Sequence, residues 1–328
     1  MTTPSRRLGS AGPEVFPIAL GCMGMSGMYG PADEQESIAT IHAALDAGVT
    51  LLDTGDFYGA GHNELLIGRA LKDRPNKALL SVKFGALRDP DNSWLGMDGR
   101  PAAVKNFAAY SLKRLGVGHI DIYRPARLDP DVPIEDTIGA IADLVKAGHV
   151  RAIGLSEVGP ETIRRAHQTH PIADLQIEYS LISRGPEERI FPLLHELGIG
   201  VTAYGVLSRG LLTGAKTEGK GDYRAHLPRF SAENLARNQK ALDALEALAA
   251  EKHVKPAQLA VAWVLAKGAA AVPVIGARTR VQLADTLGAL AVKLSAADLQ
   301  RIEQALPPSA IAGTRYAAEQ MRGLDSEK

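Results

Sequence analysis

Short apolar runs alternate with amphipathic stretches along most of the chain. Eight runs rich in apolar and β-branched residues are typical of strands: Phe16–Leu20, Thr50–Thr54, Leu79–Lys83, Ile120–Pro125, Val150–Ser156, Asp174–Tyr179, Gly200–Tyr204 and Ala271–Ile275. Seven stretches between them have helical spacing: Asp33–Ala47, Asn63–Lys72, Ala102–Leu115, Ile134–Ala147, Pro160–Gln168, Glu187–Leu197 and Asn234–Lys267. Gly48 and Gly198 lie where a helix would end, and Pro160 and Pro256 where one would begin. The alternation predicts an α/β domain with a parallel sheet.

Two α/β architectures fit this pattern, a (β/α)8 barrel and an open doubly wound sheet. The open sheet should show G-x-G-x-x-G directly after its first strand. The segment Gly21–Gly30 has glycine at every third position and does not match. Polar residues also fall at or near the carboxyl ends of different predicted strands, where barrel enzymes place their chemistry: Asp53, Lys83, Ser156, Gln176 and Tyr204. We therefore predict a single-domain (β/α)8 TIM barrel over residues 8–290, followed by a C-terminal helix and tail over 291–328.

Composition narrows the classes of function. The 328 residues carry 37 basic and 37 acidic side chains, which argues against a nucleic-acid binder and against a polybasic membrane patch. The single cysteine excludes an intrachain disulfide and fits a reducing compartment. The first ten residues have no apolar signal core, and no run approaches the ~18 apolar residues of a membrane span. We expect a cytoplasmic protein with a small-molecule partner; the sequence does not indicate an oligomeric state.

Three polar residues are predicted to meet at the mouth of the barrel. Asp53 and Tyr58 lie at the end of one predicted strand and in the loop after it, and Lys83 ends the next strand. A phenol is a weak acid at neutral pH, and a nearby ammonium would favour its phenolate. An aspartate would hold that ammonium in place, so the three residues form a candidate proton donor for a carbonyl oxygen. Each residue alone also has a structural interpretation: a turn cap, a snorkelling lysine or a packing ring.

Several motifs in chain order resemble those of the aldo-keto reductase superfamily. They are Leu52-Asp-Thr-Gly-Asp-Phe-Tyr-Gly59, Val82-Lys83, Gly154-Leu-Ser-Glu157, Gln176-Ile-Glu-Tyr-Ser180, Tyr204–Gly214 and Val272-Pro-Val-Ile-Gly276. The resemblance extends from about Leu8 to Gly288. It is nearest to the long-loop branch that includes auxin-induced-like and pyridoxal-reductase-like enzymes. It implies a (β/α)8 barrel and NADPH-dependent carbonyl reduction.

The resemblance also implies roles for individual residues. Tyr58 would be the general acid, activated by Lys83 and Asp53. Ser156 and Gln176 would hold the nicotinamide carboxamide, and Tyr204 would stack on the nicotinamide ring. Arg278 and Gln282 would meet the adenosine 2′-phosphate, for which a forked guanidinium is suited, and Thr286 takes the place of an adenine-contacting Asn. Other implied NADP contacts are Gly21, Cys22, Met23, Asp53 and Gly276, with Gly205, Leu207, Ser208 and Gly210 at the pyrophosphate.

The fourth predicted strand departs from the family pattern. The family usually reads Tyr-Tyr-x-His-Arg-x-Asp-Pro there, whereas this chain reads Tyr123-Arg-Pro-Ala-Arg-Leu-Asp-Pro130, with Ala126 in place of the His of the catalytic tetrad. Side chains two apart in a strand face the same side, so an inward position 126 also places Arg124 inward. A buried arginine needs a partner, and the candidates are Glu178, Asp174 and Asp53. Arg124 either forms a space-filling ion pair or supplies the polarising hydrogen bond that the His has lost.

The leading hypothesis is an NADPH-dependent reductase of an aldehyde or ketone. The missing His keeps open a second hypothesis, an NADPH-binding regulatory protein with weak turnover. A third is a metal-dependent barrel hydrolase using Asp53, Asp56 and His62, although no ligand spacing supports it. The substrate is not indicated. Trp94, in the loop Leu87–Arg100, and the long segment Leu207–Phe230 are expected to line the substrate pocket.

Overall fold

Eight parallel strands close into a barrel at the centre of the molecule. The computed structural model describes residues 5–74, 76–91, 93–215, 222–268 and 271–328. In chain order its strands are β1 (Arg6–Arg7), β2 (Glu14–Val15), β3 (Ala19–Gly21), β4 (Leu51–Gly55), β5 (Leu79–Phe84), β6 (Ala86–Arg88), β7 (Trp94–Met97), β8 (Ile120–Pro125), β9 (Val150–Ser156), β10 (Ile172–Glu178), β11 (Gly200–Tyr204) and β12 (Ala271–Gly276). The barrel runs β3-β4-β5-β8-β9-β10-β11-β12 and closes from β12 back to β3. The predicted TIM barrel is confirmed.

Helices follow the barrel strands and cover their outer face. They are α1 (Glu34–Asp46), α2 (His62–Leu71), α3 (Pro101–Leu115), α4 (Ile134–Lys146), α5 (Pro160–Thr169), α6 (Pro186–Leu197), α7 (Ala232–Glu251), α8 (Pro256–Ala266), α9 (Arg280–Leu287), α10 (Ala296–Ala305) and α11 (Ala318–Arg322). Gly198 caps α6 with φ +67°, a left-handed conformation that glycine adopts without strain. None of the helices in the described ranges combines the length and hydrophobicity needed to cross a bilayer.

The predicted helix Asn234–Lys267 is wrong as a single element. It is two helices, α7 and α8, which are separated by a turn containing His253 at φ +55°. Pro256 is the first residue of α8, where its missing N–H costs no helical hydrogen bond. The apolar spacing continues on both sides because both helices pack on the same core, and this continuity concealed the break.

The interior of the barrel changes from apolar to polar towards the carboxyl ends of the strands. The apolar side chains that fill its lower part are Ala19, Leu51, Ile122, Ala152, Ala173, Val272 and Val274. The N-terminal hairpin of β1 and β2 adds Leu8 and Val15 to them. Above them lie buried polar side chains: Asp53, Ser81, Lys83, Arg124, Asp174, Gln176 and Thr202. Alternation along the strands puts the two sets on the same inward face. The fold thus assembles a polar cluster beneath the barrel mouth.

Two elements at the mouth were not predicted. Strands β6 and β7 form a hairpin within the expected loop after β5. The C-terminal segment that follows α10 returns to the mouth, where Arg315 contacts Glu157 and Tyr316 contacts Tyr204. Residues 216–221 of the predicted long segment Leu207–Phe230 lie outside the described residues.

Candidate active site

Asp53 and Lys83 form a buried ion pair inside the barrel mouth. The Nζ of Lys83 donates to Oδ1 of Asp53, and Oδ2 of Asp53 accepts from Ser81 Oγ at 2.8 Å and Gln176 Nε2 at 2.8 Å. Burial would raise the pKa of Asp53, but Lys83 and Arg124 outweigh it, so the pKa is lowered. Burial also lowers the pKa of Lys83, which the neighbouring Asp53 opposes. Ser81 and Gln176 thus hold the Asp53 carboxylate in place, and Asp53 holds the ammonium of Lys83.

Tyr58 lies directly against this ion pair. It follows β4 in a turn in which its N–H donates to the carbonyl of Gly55 at 3.0 Å, and the side chain is only 7% exposed. The Nζ of Lys83 stands 5.2 Å from the centre of the Tyr58 ring. Asp53, Lys83 and Tyr58 are therefore brought together, as the sequence predicted.

The electrostatic effect on Tyr58 differs from the expected one. Burial raises the pKa of Tyr58 well above its ordinary value, the Asp53 carboxylate adds to the rise, and Arg127 opposes it. The ammonium of Lys83 lies over the ring face, and a strong cation at the phenol oxygen would be needed to favour the phenolate. Tyr58 consequently keeps its proton at neutral pH, which is the state a proton donor requires.

Arg124 lies buried beneath the site, where its contacts join several strands of the barrel. It has no exposed surface and forms an ion pair with Asp174 at 3.0 Å, one of its three predicted partners. Its guanidinium also donates to Thr202 Oγ1 at 3.0 Å and Ser81 Oγ at 3.1 Å. The suggested role of Arg124 as a substrate contact is corrected, because burial below the mouth leaves it no surface for a substrate.

Arg127, rather than Arg124, is the arginine that reaches the mouth beside Ala126. Its Nη1 donates to the Ala126 carbonyl at 2.7 Å and to Ser156 Oγ at 3.4 Å. Its Nη2 donates to the hydroxyl of Tyr316 at 3.2 Å. Strand parity gives no expectation for Arg127, because position 127 lies just beyond β8.

The C-terminal segment is tied to the mouth through Glu157. The carboxylate of Glu157 accepts from Arg315 at 2.8 and 2.6 Å, from Ser326 at 2.7 Å and from the Tyr204 hydroxyl at 2.7 Å. Burial would raise the pKa of Glu157, but its arginine and hydroxyl partners lower it to about 2. Tyr316, next to Arg315, also shares a hydrogen bond of 2.8 Å with the Tyr204 hydroxyl. No sequence pattern predicted this contact between the C-terminal segment and the mouth.

The segment after β11 contains several residues with a left-handed backbone. Gly205 has φ +66°, and Ser208, Arg209 and Gly210 have φ of +48°, +57° and +94°. The N–H groups of Ser208 and Gly210 donate to the carbonyls of Gly205 and Leu207 at 2.7 and 2.9 Å, so internal hydrogen bonds hold the turn in its left-handed shape. A side chain at Gly205 would come within 3.0 Å of Glu178 Cγ. That the backbone around Gly205, Leu207, Ser208 and Gly210 binds a pyrophosphate stays a prediction.

The remaining cofactor candidates lie around β3, β12 and α9. Gly21 of β3 pairs with Gly276 of β12 and with Asp53 of β4. Cys22, whose thiol pKa is raised by burial, leads into the turn that begins at Met23. The predicted ligands of the 2′-phosphate lie at the start of α9. Arg278 Nη1 donates to the carbonyl of Tyr29 at 3.0 Å, and the N–H of Arg278 donates to Gln282 Oε1. One turn further on, the hydroxyl of Thr286 donates to the carbonyl of Gln282.

Among the described residues, neither Trp94 nor the set of predicted metal ligands forms a binding site. Trp94 is 52% exposed on β7, with the Arg88 guanidinium 5.2 Å above its ring. His62 hydrogen-bonds Ser26 and Glu34. Within the described residues, no three His, Cys, Asp or Glu side chains are arranged to hold a metal ion.

The comparisons with known proteins assign the chain to one family. The profile described as "Aldo/keto reductase family" matches residues 17–307, and the chain belongs to this family. Family membership makes the protein an oxidoreductase that reduces carbonyl compounds with a nicotinamide cofactor, NADH or NADPH.

Individual relatives cover almost the whole chain. The "Probable aldo-keto reductase 1" of Glycine max is 45% identical over 327 residues, which are 97% of this chain and 92% of that protein. The glycerol dehydrogenase AKR11B4 from Gluconobacter oxydans matches with a TM-score of 0.84 and 31% identity, over 94% of this chain and 97% of that one. The holo form of AKR11C1 from Bacillus halodurans matches with a TM-score of 0.77 and 28% identity, over the same shares.

Proposed function

We propose that the protein reduces an aldehyde or ketone to an alcohol with NADPH, and that Tyr58 supplies the proton. The observation that carries this proposal is the buried cluster of Tyr58, Lys83 and Asp53 at the barrel mouth. A phenol that keeps its proton at neutral pH donates it when negative charge develops on a bound carbonyl oxygen. Arg127, whose charge lowers the pKa of Tyr58, would stabilise the phenolate that remains, and Asp53 holds the Lys83 ammonium over the face of the ring.

The residues present fit the nicotinamide cofactor. Ser156 and Gln176, both buried at the strand ends, would bind the carboxamide, and the Tyr204 ring would support the nicotinamide. The left-handed turn at Ser208–Gly210 would bind the pyrophosphate, and Arg278 would bind the 2′-phosphate. When bound, the nicotinamide supplies the hydride that reduces the carbonyl carbon.

The alternative is a cofactor-binding protein with weak turnover. Ala126 favours it, because the family's usual second donor is missing and alanine cannot hydrogen-bond a carbonyl oxygen. The retained cluster of Asp53, Lys83 and Tyr58 favours the enzyme. One lost donor is expected to slow acid–base catalysis rather than abolish it.

One experiment separates the two functions and tests the cofactor preference. The protein is titrated with NADPH and NADH by fluorescence, and NADPH oxidation is then followed with a panel of aldehydes and ketones. We expect tighter binding of NADPH by about 10-fold or more, lost in Arg278→Ala, because the 2′-phosphate makes a charge-assisted contact. We also expect turnover of at least one carbonyl compound.

Two results would contradict the proposal. Equal affinity for NADPH and NADH in the unaltered protein would exclude the role of Arg278. Tight NADPH binding without oxidation by any carbonyl compound would favour the regulatory alternative.

A further inference from the structure

Arg127 differs from the other guanidinium groups around the mouth in its neighbours. Arg209 and Arg229 each contact Glu178, and Arg315 contacts Glu157. For Arg127, no carboxylate of the described residues lies within the 4.0 Å of an ion pair. Its three hydrogen-bond acceptors are a carbonyl and two hydroxyl oxygens, all of them uncharged.

The hydrogen bonds of Arg127 leave part of the guanidinium available. A guanidinium has five N–H groups, and Arg127 uses two on Nη1 and one on Nη2. The N–H of Nε and one N–H of Nη2 have no acceptor among the described residues. These two nitrogens lie on the same edge of the planar group, which is the arrangement that binds both oxygens of a carboxylate.

Arg127 is held so that this edge cannot turn away freely. Its guanidinium carbon lies 5.9 Å from the centre of the Tyr316 ring, whose hydroxyl it also binds. Tyr316 is held in turn by Tyr204, and its neighbour Arg315 by Glu157. The C-terminal segment therefore orients Arg127 towards the mouth, and Tyr316 is a positioning residue.

The position of Arg127 limits which part of a substrate it can bind. It lies next to Ser156, a candidate carboxamide ligand, and beside Ala126, whose side chain ends at Cβ. It also acts on the charge of the Tyr58 phenol. A group bound by Arg127 must therefore be attached to, or close to, the carbonyl carbon whose oxygen Tyr58 protonates.

We propose that Arg127 binds a carboxylate of the substrate, and that the substrates are 2-oxo acids, in which the carboxylate is bonded to the carbonyl carbon. The open edge of the Arg127 guanidinium presents two N–H groups at the mouth, and a carboxylate accepts both in matching, charge-assisted geometry. The inference rests on the proposed function. The carboxylate is not altered, so the hydride and proton balance is that of the carbonyl reduction itself.

The experiment compares phenylglyoxylate with its uncharged methyl ester, which has the same ketone. Both are reduced with NADPH by the wild type and by Arg127→Met, Arg127→Lys and Arg237→Met. We expect Arg127→Met to lower kcat/KM for phenylglyoxylate about 10²-fold more than for the ester, because a buried charge pair is lost. Arg127→Lys keeps the positive charge but loses the forked geometry. We therefore expect its kcat/KM for phenylglyoxylate to lie between those of the wild type and Arg127→Met. Arg237, exposed on α7, is the matched control and should change neither value.

Other outcomes overturn the inference. An equal loss on acid and ester in Arg127→Met would mean that Arg127 does not read the carboxylate. A wild type that reduces neutral aldehydes but not phenylglyoxylate would exclude 2-oxo acids while leaving the proposed function intact. If no carbonyl compound is reduced, the proposed function fails first and this inference fails with it. NADPH titration shows that each variant is folded, and Arg127→Lys decides if Arg127→Met does not fold.

Discussion

Arg124 and Arg127 lie three residues apart at one end of β8, yet their surroundings are opposite. Arg124 has no exposed surface and contacts the carboxylate of Asp174. Arg127 is partly exposed and contacts only uncharged acceptors among the described residues. The same side chain thus serves as an internal brace when its charge is matched within the fold. It becomes a candidate ligand-binding group when its charge is left unmatched at the mouth.

The comparison extends to the layers in which the two arginines lie. Beneath the mouth, Asp53 is paired with Lys83 and Asp174 with Arg124, so the interior charges are matched in pairs. At the mouth, Arg127 has no carboxylate of the described residues within ion-pair distance. A partly exposed guanidinium that has no carboxylate in ion-pair contact keeps N–H groups for a ligand, which is a physical signal of a binding site.

The largest stability effect is expected from Arg124→Met. This change leaves the carboxylate of Asp174 buried without its cation, and breaking a buried pair costs about 3–5 kcal/mol. Urea unfolding should therefore show a large loss of the free energy of unfolding, with normal activity per folded molecule. Adding Asp174→Asn removes the stranded charge and should recover part of the loss. Normal stability of Arg124→Met would show that the ion pair is not a brace.

A smaller effect of opposite sign is expected at Asp56, a buried carboxylate that forms no ion pair with any described residue. Burial and the neighbouring Glu64 raise the pKa of Asp56 to about 7, and its Oδ1 has no hydrogen-bond partner within the described structure. Between about pH 4 and pH 7 the folded protein retains a proton that the unfolded chain has released. The contribution of Asp56 to stability therefore falls as the pH rises through this range.

Asp56→Asn tests this account of an unmatched charge. The variant should gain stability relative to the wild type as the pH rises from about 5 to about 8, by a few kcal/mol. Urea unfolding at both pH values measures the difference. The same difference between variant and wild type at both pH values would show that Asp56 titrates normally.

The smallest stability effect is expected from Arg127→Met. Arg127 forms no ion pair among the described residues, Glu157 keeps its ion pair with Arg315, and the three acceptors of Arg127 are uncharged, so we expect a change below about 1 kcal/mol. Measured beside Arg124→Met in the same urea experiment, this variant sharpens the comparison. A loss of stability as large as that of Arg124→Met would show that both arginines serve to stabilise the fold.

The sequence was sufficient for the barrel and for the inner cluster. Strands at Ile120–Pro125, Val150–Ser156 and Gly200–Tyr204 have the predicted bounds, because alternating burial leaves a clear pattern. Asp53, Lys83 and Tyr58 could be placed together since strand ends converge at the mouth of a barrel. Strand parity also placed Asp174 among the partners of Arg124.

The sequence was insufficient where contacts depend on chain geometry outside the strands. Arg127 lies beyond the last residue of β8, so parity gives no rule for its direction. Tyr316 and Arg315 reach the mouth from a segment 158 residues beyond Glu157, and no local pattern records that contact. The raised pKa of Tyr58 follows from burial, which was not known before the fold.

Single-turnover reduction by Tyr58→Phe tests the central claim most directly. Enzyme loaded with NADPH is mixed with a carbonyl compound that the wild type reduces, and the loss of nicotinamide absorbance is followed. The substitution removes the phenol oxygen and keeps the ring, so NADPH affinity should stay within a few-fold of wild type. The rate of reduction should fall by about 10²–10⁴. A rate within a few-fold of the wild type would contradict Tyr58 as the proton donor.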